Sequence, residues 1–153
     1  MTANRSMDTS CYQVTIHYKR PLYQSSPKIT ESKDAYTHFN KIINPDRIDY
    51  VETFYLMILT NANRVLAISE IASGAQKGVV VNTKEIFQTC LLMHAANFIV
   101  AHTHPSGELT PSHSDLKVTQ DLVKSAKLLD LELLDHLIIS SEGYYSMSDQ
   151  NDI

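Results

Sequence analysis

The run His102-Thr-His-Pro-Ser-Gly-Glu-Leu-Thr-Pro-Ser-His-Ser-Asp115 carries the residue types best suited to chemistry. His102 and His104 are two apart, and Asp115 follows after ten intervening residues. Imidazole nitrogen and carboxylate oxygen are joint ligands for a borderline-soft divalent ion of the zinc type. On an extended strand, residues i and i+2 share a face with backbones roughly 6–7 Å apart, so two imidazoles there can converge on one ion. Two nitrogens and one oxygen leave a fourth position open, which separates a catalytic zinc site from a closed structural one.

The same residues have a second reading. Ser112-x-x-Asp115 before a helical apolar pattern is also a capping box, with Asp115 at the positive helix end. The two readings are compatible, because a pinned helix start is a rigid mount for a ligand.

The remaining chain must place these groups. Tyr12 to Tyr18 alternates as a strand, closed by Pro21, Pro27 and serines. Thr30 to Ile43 has a helical stripe of Ala35, Phe39, Ile42 and Ile43, with Thr30 or Ser32 as cap and Asn44-Pro45 as stop. Val51 to Thr60 reads as a buried strand, Asn61-Ala62-Asn63 as a turn, and Arg64 to Ile71 as the partner strand. Ser73-Gly74 and Gly78 mark a loop. Asn82 opens a helix, with Glu85 completing a capping pattern. Asn97 to Ala101 is a short strand leading into His102; Ser112 to Leu129 is helical; Leu131 to Ser140 and Tyr144 to Met147 are strands. The predicted order is β-α-β-β-α-β-loop-α-β-β. The fold class is α/β: one mixed sheet flanked by helices.

The 153 residues, 43% of them hydrophobic, suit one domain with a real core. The expected division is a tail over 1–10, the domain over 11–149 and a short tail over 150–153. A net charge of −4 lacks the basic footprint of a nonspecific nucleic-acid binder. Two isolated cysteines, Cys11 and Cys90, read as reduced thiols in a cytoplasmic protein, Cys90 as core filler. No apolar run is long enough for a membrane helix, and the first residues lack a signal-peptide core.

His-x-His-Pro-Ser-Gly, seven residues to Ser112, and then Ser-x-x-Asp together resemble the JAMM (MPN-type) motif. The fuller resemblance, over about Val51 to Met147, is to the RadC branch of that superfamily. It rests also on Glu52-Thr-Phe-Tyr-Leu, Asn61-Ala-Asn-Arg-Val, Ile71-Ala-Ser-Gly74, Thr83-Lys-Glu-Ile-Phe and Leu133-Leu-Asp-His-Leu-Ile-Ile139. It implies a JAMM/MPN-like, cytidine-deaminase-like architecture. It further implies zinc held by His102, His104 and Asp115 with a metal-bound water, an upstream glutamate acting through that water, and a serine beside the reacting carbonyl. By position the glutamate is Glu52, which on its own reads as a solvated strand-end carboxylate; Glu70 is the other nearby acid and does not match. The serine is Ser112.

The expected activity is hydrolysis of an amide or isopeptide bond, with a peptide or protein as substrate partner. The alternatives are a non-enzymatic interaction domain and a DNA-repair-associated factor. Oligomeric state is not readable. Two departures from the RadC pattern stand out. Thr103 replaces the usual Asn between the histidines, at a position facing away from the ion. The first fifty residues hold no helix-hairpin-helix, so nucleic-acid binding does not carry over. His136, beside Asp135, reads first as half of a buried satisfied pair and second as a support behind the metal. His113 reads as exposed, His94 as a helix-end residue, and His17 and His38 as non-chemical.

Overall fold

The computed structural model describes residues 17–74 and 80–153. Five strands form one sheet in the order β2-β1-β3-β4-β5. They are β1 (Glu52–Leu59), β2 (Val65–Gly74), β3 (Asn97–Thr103), β4 (Glu132–Ser140) and β5 (Gly143–Ser146). β1 runs antiparallel to both β2 and β3, β3 and β4 are parallel, and β5 returns antiparallel to β4. The helices are α1 (Ser32–Asn40), α2 (Thr83–Leu92) and α3 (His113–Lys127). This is the expected single mixed α/β sheet flanked by helices.

Strand alternation divides the core into two layers. Tyr55, Met57, Leu59, Ile99, Ala101, Leu137 and Ile139 face α1, which contributes Ala35 and Phe39. Phe54, Leu56, Ile58, Phe98 and Val100 face the other way, toward Ile86, Phe87 and Cys90 of α2 and Leu122 and Ala126 of α3. Phe87 meets Phe98 edge-on at 5.9 Å. β1 and β3 are apolar on both faces because both faces are covered. Burial pushes the Cys90 thiol up to about 12, consistent with a core filler.

Several boundaries differ from the sequence expectation. The predicted first strand falls mostly on residues 12–16, outside those described; His17 and Tyr18 are not in a strand. Cys11, Gly78 and the predicted tail over 1–10 are likewise outside them. α1 is capped by Glu31, not by Thr30 or Ser32: Glu31 and Asp34 form a reciprocal capping box. α1 ends at Asn40, ahead of Asn44-Pro45, and Ile42 lies exposed beyond it. β2 runs through Ser73 and Gly74, expected as loop, because both pair with β1 at Thr53 and Glu52. At the C-terminus, the Asp152 N–H donates to Met147 O at 2.8 Å and its carboxylate accepts the Tyr145 hydroxyl at 2.6 Å.

Asn82 caps α2 through the Glu85 N–H, as its pattern predicts. Asn63 turns the β1–β2 hairpin with φ of 55°, a left-handed conformation that asparagine tolerates. No helix among the described residues is long and apolar enough to cross a membrane.

Candidate metal centre

β3 continues through His102 and Thr103, two residues past its predicted end. The ladder persists one residue further, where the His104 N–H donates to Ile139 O at 2.8 Å. His102 and His104 therefore project to the same side, the side of α2 and α3. Thr103 projects oppositely: its hydroxyl donates to Val51 O at 3.0 Å and accepts the Thr53 N–H at 2.9 Å. Thr103 thus lies on the far side of the sheet from the histidine rings, as expected.

The loop after His104 reverses the chain. The Gly107 N–H donates to His104 O at 3.1 Å, and Gly107 takes φ of 82°, which favours glycine. Glu108 O lies 2.7 Å from His104 Nδ1. A carbonyl only accepts, so Nδ1 carries the proton and His104 Nε2 keeps its lone pair. The chain then enters α3 through Ser112. The Ser112 hydroxyl accepts the Asp115 N–H at 3.2 Å, and Asp115 Oδ2 accepts the Ser112 N–H at 2.7 Å. The capping box and the ligand placement coexist.

Three ligand atoms converge at this point. His102 Nε2 and His104 Nε2 are 2.8 Å apart. Asp115 Oδ1 lies 3.3 Å from His102 Nε2, and Oδ2 lies 3.6 Å from His104 Nε2. Atoms bound tetrahedrally at about 2.0–2.1 Å from zinc are roughly 3.3–3.4 Å apart, a value within the observed spread. His102, His104 and Asp115 are the group among the described residues able to hold a metal ion. The donor set, two imidazoles and a carboxylate, fits zinc.

The electrostatics agree with a cation-ready site. Burial works against the Asp115 carboxylate, but its contacts with His102 and His104 outweigh that and hold it well below the ordinary carboxylate range. Asp115 in turn raises the affinity of His104 for positive charge, against burial, with help from Glu108 O and the Glu52 charge.

The site floors an open cavity of about 700 Å³. Glu52, first residue of β1 and half-buried, lines it, on the same strand face as Phe54. Ser112, Ser106 and Tyr50 line it too. Glu70 of β2 does not. All five residues singled out for the site, His102, His104, Asp115, Glu52 and Ser112, therefore border one cavity.

His136 is where the first reading of the sequence fails. Its ring does not pair with the Asp135 side chain, which takes only the His136 backbone N–H. Asp135 faces the α1 side, bound to Ser146 Oγ at 2.6 Å and to backbone N–H groups of His136 and Ser148. The His136 ring lies instead behind His102, with Nε2 at 2.8 Å from His102 Nδ1 and Nδ1 at 2.6 Å from Thr119 Oγ1. Complete burial drives its pKa well below the usual imidazole value, and the imidazole is neutral. Thr119, on the buried face of α3, carries no chemical signal in the sequence. Strand alternation was the available signal: consecutive residues on β4 face opposite layers. His113 is exposed as expected; His94 is also exposed, ending α2 with φ of 49° and its ring 5.3 Å from Tyr18.

A two-layered α/β sheet with a His-x-His strand end closed by a carboxylate at a helix start, a group able to hold a metal ion, is a JAB-type arrangement. The chain belongs to the RadC-like JAB domain family, whose family model matches residues 29–152. It is 37% identical over 123 residues to a UPF0758 protein of Flavobacterium johnsoniae, covering 80% of this chain and 52% of that protein. Similar UPF0758 proteins occur in Clostridium acetobutylicum, 35% identical over 82% of this chain and 53% of the relative. Another is in Methanosarcina mazei, 35% identical over 80% and 52%. The chain spans about half the length of these relatives.

Proposed function

We propose that this domain is a zinc-dependent hydrolase acting on an amide or isopeptide bond of a peptide or protein. The observation that carries the reading is the convergence of three ligand atoms on the floor of an open cavity that Glu52 and Ser112 also line. His102, His104 and Asp115 would hold the ion. Zinc bound there would supply Lewis-acid polarisation of the scissile carbonyl and acidify water. Glu52 takes the proton of the attacking water and returns it to the leaving amine. The Ser112 hydroxyl already accepts from the Asp115 N–H, so its own hydrogen is free to donate to the developing oxyanion.

The cavity chemistry argues for such a substrate over a nucleic acid. Its lining carries the carboxylates of Asp49, Glu52 and Asp115 and, among the described residues, no lysine or arginine. A polyphosphate backbone requires the reverse.

The direct test is metal analysis of the protein purified without chelator, beside His104→Ala. About one equivalent of zinc in the wild type and much less in the variant is expected. Equal content in both would overturn the metal assignment. A folded wild type devoid of metal would favour the non-enzymatic interaction domain.

A further inference from the structure

We infer that His136 and Thr119 are positioning residues that fix which nitrogen of His102 faces the ion, through a hydrogen-bond chain ending on the backbone of Asp115. The inference rests on the metal reading of the site. All three side chains are almost fully buried: Thr119 and His136 are 1% exposed and His102 2%. No solvent competes for their hydrogens, so each short contact must be satisfied within the group.

The chain can be counted from its fixed end. Asp115 O is a carbonyl, 2.7 Å from Thr119 Oγ1, and can only accept. Met147 Sδ, 3.3 Å from the same oxygen, is a weak acceptor beside this carbonyl, so the single Thr119 hydrogen goes to Asp115 O. The 2.6 Å contact between Thr119 Oγ1 and His136 Nδ1 then needs its hydrogen from the imidazole. A fully buried imidazole whose ring has no carboxylate partner keeps a single hydrogen, so His136 Nε2 is bare and accepts from His102 Nδ1 across 2.8 Å. His102, protonated on Nδ1, presents a bare Nε2.

The result is two lone pairs meeting. His102 Nε2 is bare by this chain, His104 Nε2 is bare through Glu108 O, and the two are 2.8 Å apart beside a carboxylate. With both imidazoles neutral that contact has no hydrogen of its own, and a cation completes it: a metal ion, or a proton in the unloaded protein. Phe54 keeps the two rings of the chain in place, stacked 6.2 Å from His102 and edge-on 5.6 Å from His136. The arrangement ties a ligand on β3 to the helix that carries the other ligand, through β4. Partners behind ligating histidines typically change metal affinity 10–100-fold when removed.

The test is Thr119→Val, nearly isosteric and remote from the ion, with Thr119→Ser as the conservative control. Valine cannot accept from His136 Nδ1, so His136 moves its proton to Nε2 and aims it at His102 Nδ1. His102 must then carry its own proton on Nε2, against the metal. Zinc affinity by chelator competition should fall 10–100-fold in Thr119→Val and stay near wild type in Thr119→Ser. Nitrogen NMR of the ring should place the His136 proton on Nδ1 in wild type and on Nε2 in Thr119→Val. Unchanged zinc affinity in Thr119→Val, or a wild-type His136 protonated on Nε2, overturns the inference while leaving the metal reading standing. A wild type that takes up no zinc overturns both.

Discussion

Ser112 and Asp115 bind each other reciprocally, and one Asp115 carboxylate oxygen serves the cap while both face the histidines. Oδ2 accepts the Ser112 N–H at 2.7 Å, while Oδ1 faces His102 Nε2 at 3.3 Å. Ser112 has two roles in this geometry, cap and oxyanion donor, and they can be separated. Ser112→Ala removes both, costing about 1 kcal/mol of stability. Ser112→Gly costs only a few tenths of that unit, since glycine is tolerated at caps. Both lose the hydroxyl, so both should lower turnover by about 10²–10³-fold. Urea midpoints and turnover of a responsive peptide substrate read the two effects. Wild-type turnover in Ser112→Gly would remove Ser112 from the chemistry.

Glu52 stands at the strand start where β1 pairs with Gly74 of β2, facing the cavity. Glu52→Gln keeps shape and removes the proton acceptor. Turnover should fall by about 10²–10⁴-fold with zinc content unchanged. Retained turnover would show that another group moves the proton; lost zinc would show that Glu52 supports the ion instead.

Much of this site was legible because its parts are local. The His-x-His spacing places two rings on one strand face, and Ser112-x-x-Asp115 is a helix start whatever else it does. The support behind His102 was not legible, because it joins residues 34 and 17 positions apart. It also depends on a register shift between Phe98 and Ile99, which sets which β4 residues lie beside His102. Adjacency of Asp135 and His136 misled for a physical reason: strand neighbours point apart. The cap of α1 was missed because a glutamate performs it, a residue type outside the usual cap set. The β2 extension came from pairing with β1, a tertiary effect that Ser73-Gly74 does not announce.

Zinc and protons compete for the same nitrogen of His104. Asp115 raises the His104 pKa, so the unloaded protein holds that proton at higher pH than a free imidazole would. Zinc binding should therefore release that proton. Apparent affinity should fall as pH drops, by about tenfold per pH unit once His104 is protonated. Chelator competition between pH 8 and pH 6, taken as roughly bracketing the ordinary imidazole range, measures the slope. A flat profile would show that His104 does not ligate.

The mount of Asp115 depends on α3 seating against the sheet, where Leu122 is fully buried among Phe54, Val100 and their neighbours. Leu122→Ala should cost about 2–5 kcal/mol of stability. Zinc affinity of the folded fraction should weaken as well, because Asp115 and Thr119 share that helix. A destabilised variant with wild-type zinc affinity would show that the first turn of α3 is held by its cap alone.

Thr103 offers the opposite separation, stability without metal. It lies between two ligands in sequence, yet its hydroxyl joins Val51 O and the Thr53 N–H on the far side of the sheet. That side chain is 1% exposed, so no water replaces a lost partner. Thr103→Val keeps the shape and strands one buried acceptor and one buried donor. The cost should be about 1–3 kcal/mol per unsatisfied group, partly relieved by relaxation at the end of β1. Zinc affinity should stay within a factor of about two, since the substitution leaves both imidazoles and Asp115 untouched. Thermal melting and chelator competition on the same sample decide it. A large loss of zinc affinity at full stability would show that the Thr103 bonds set the pitch of the two histidines, which would make the residue between them part of the metal site.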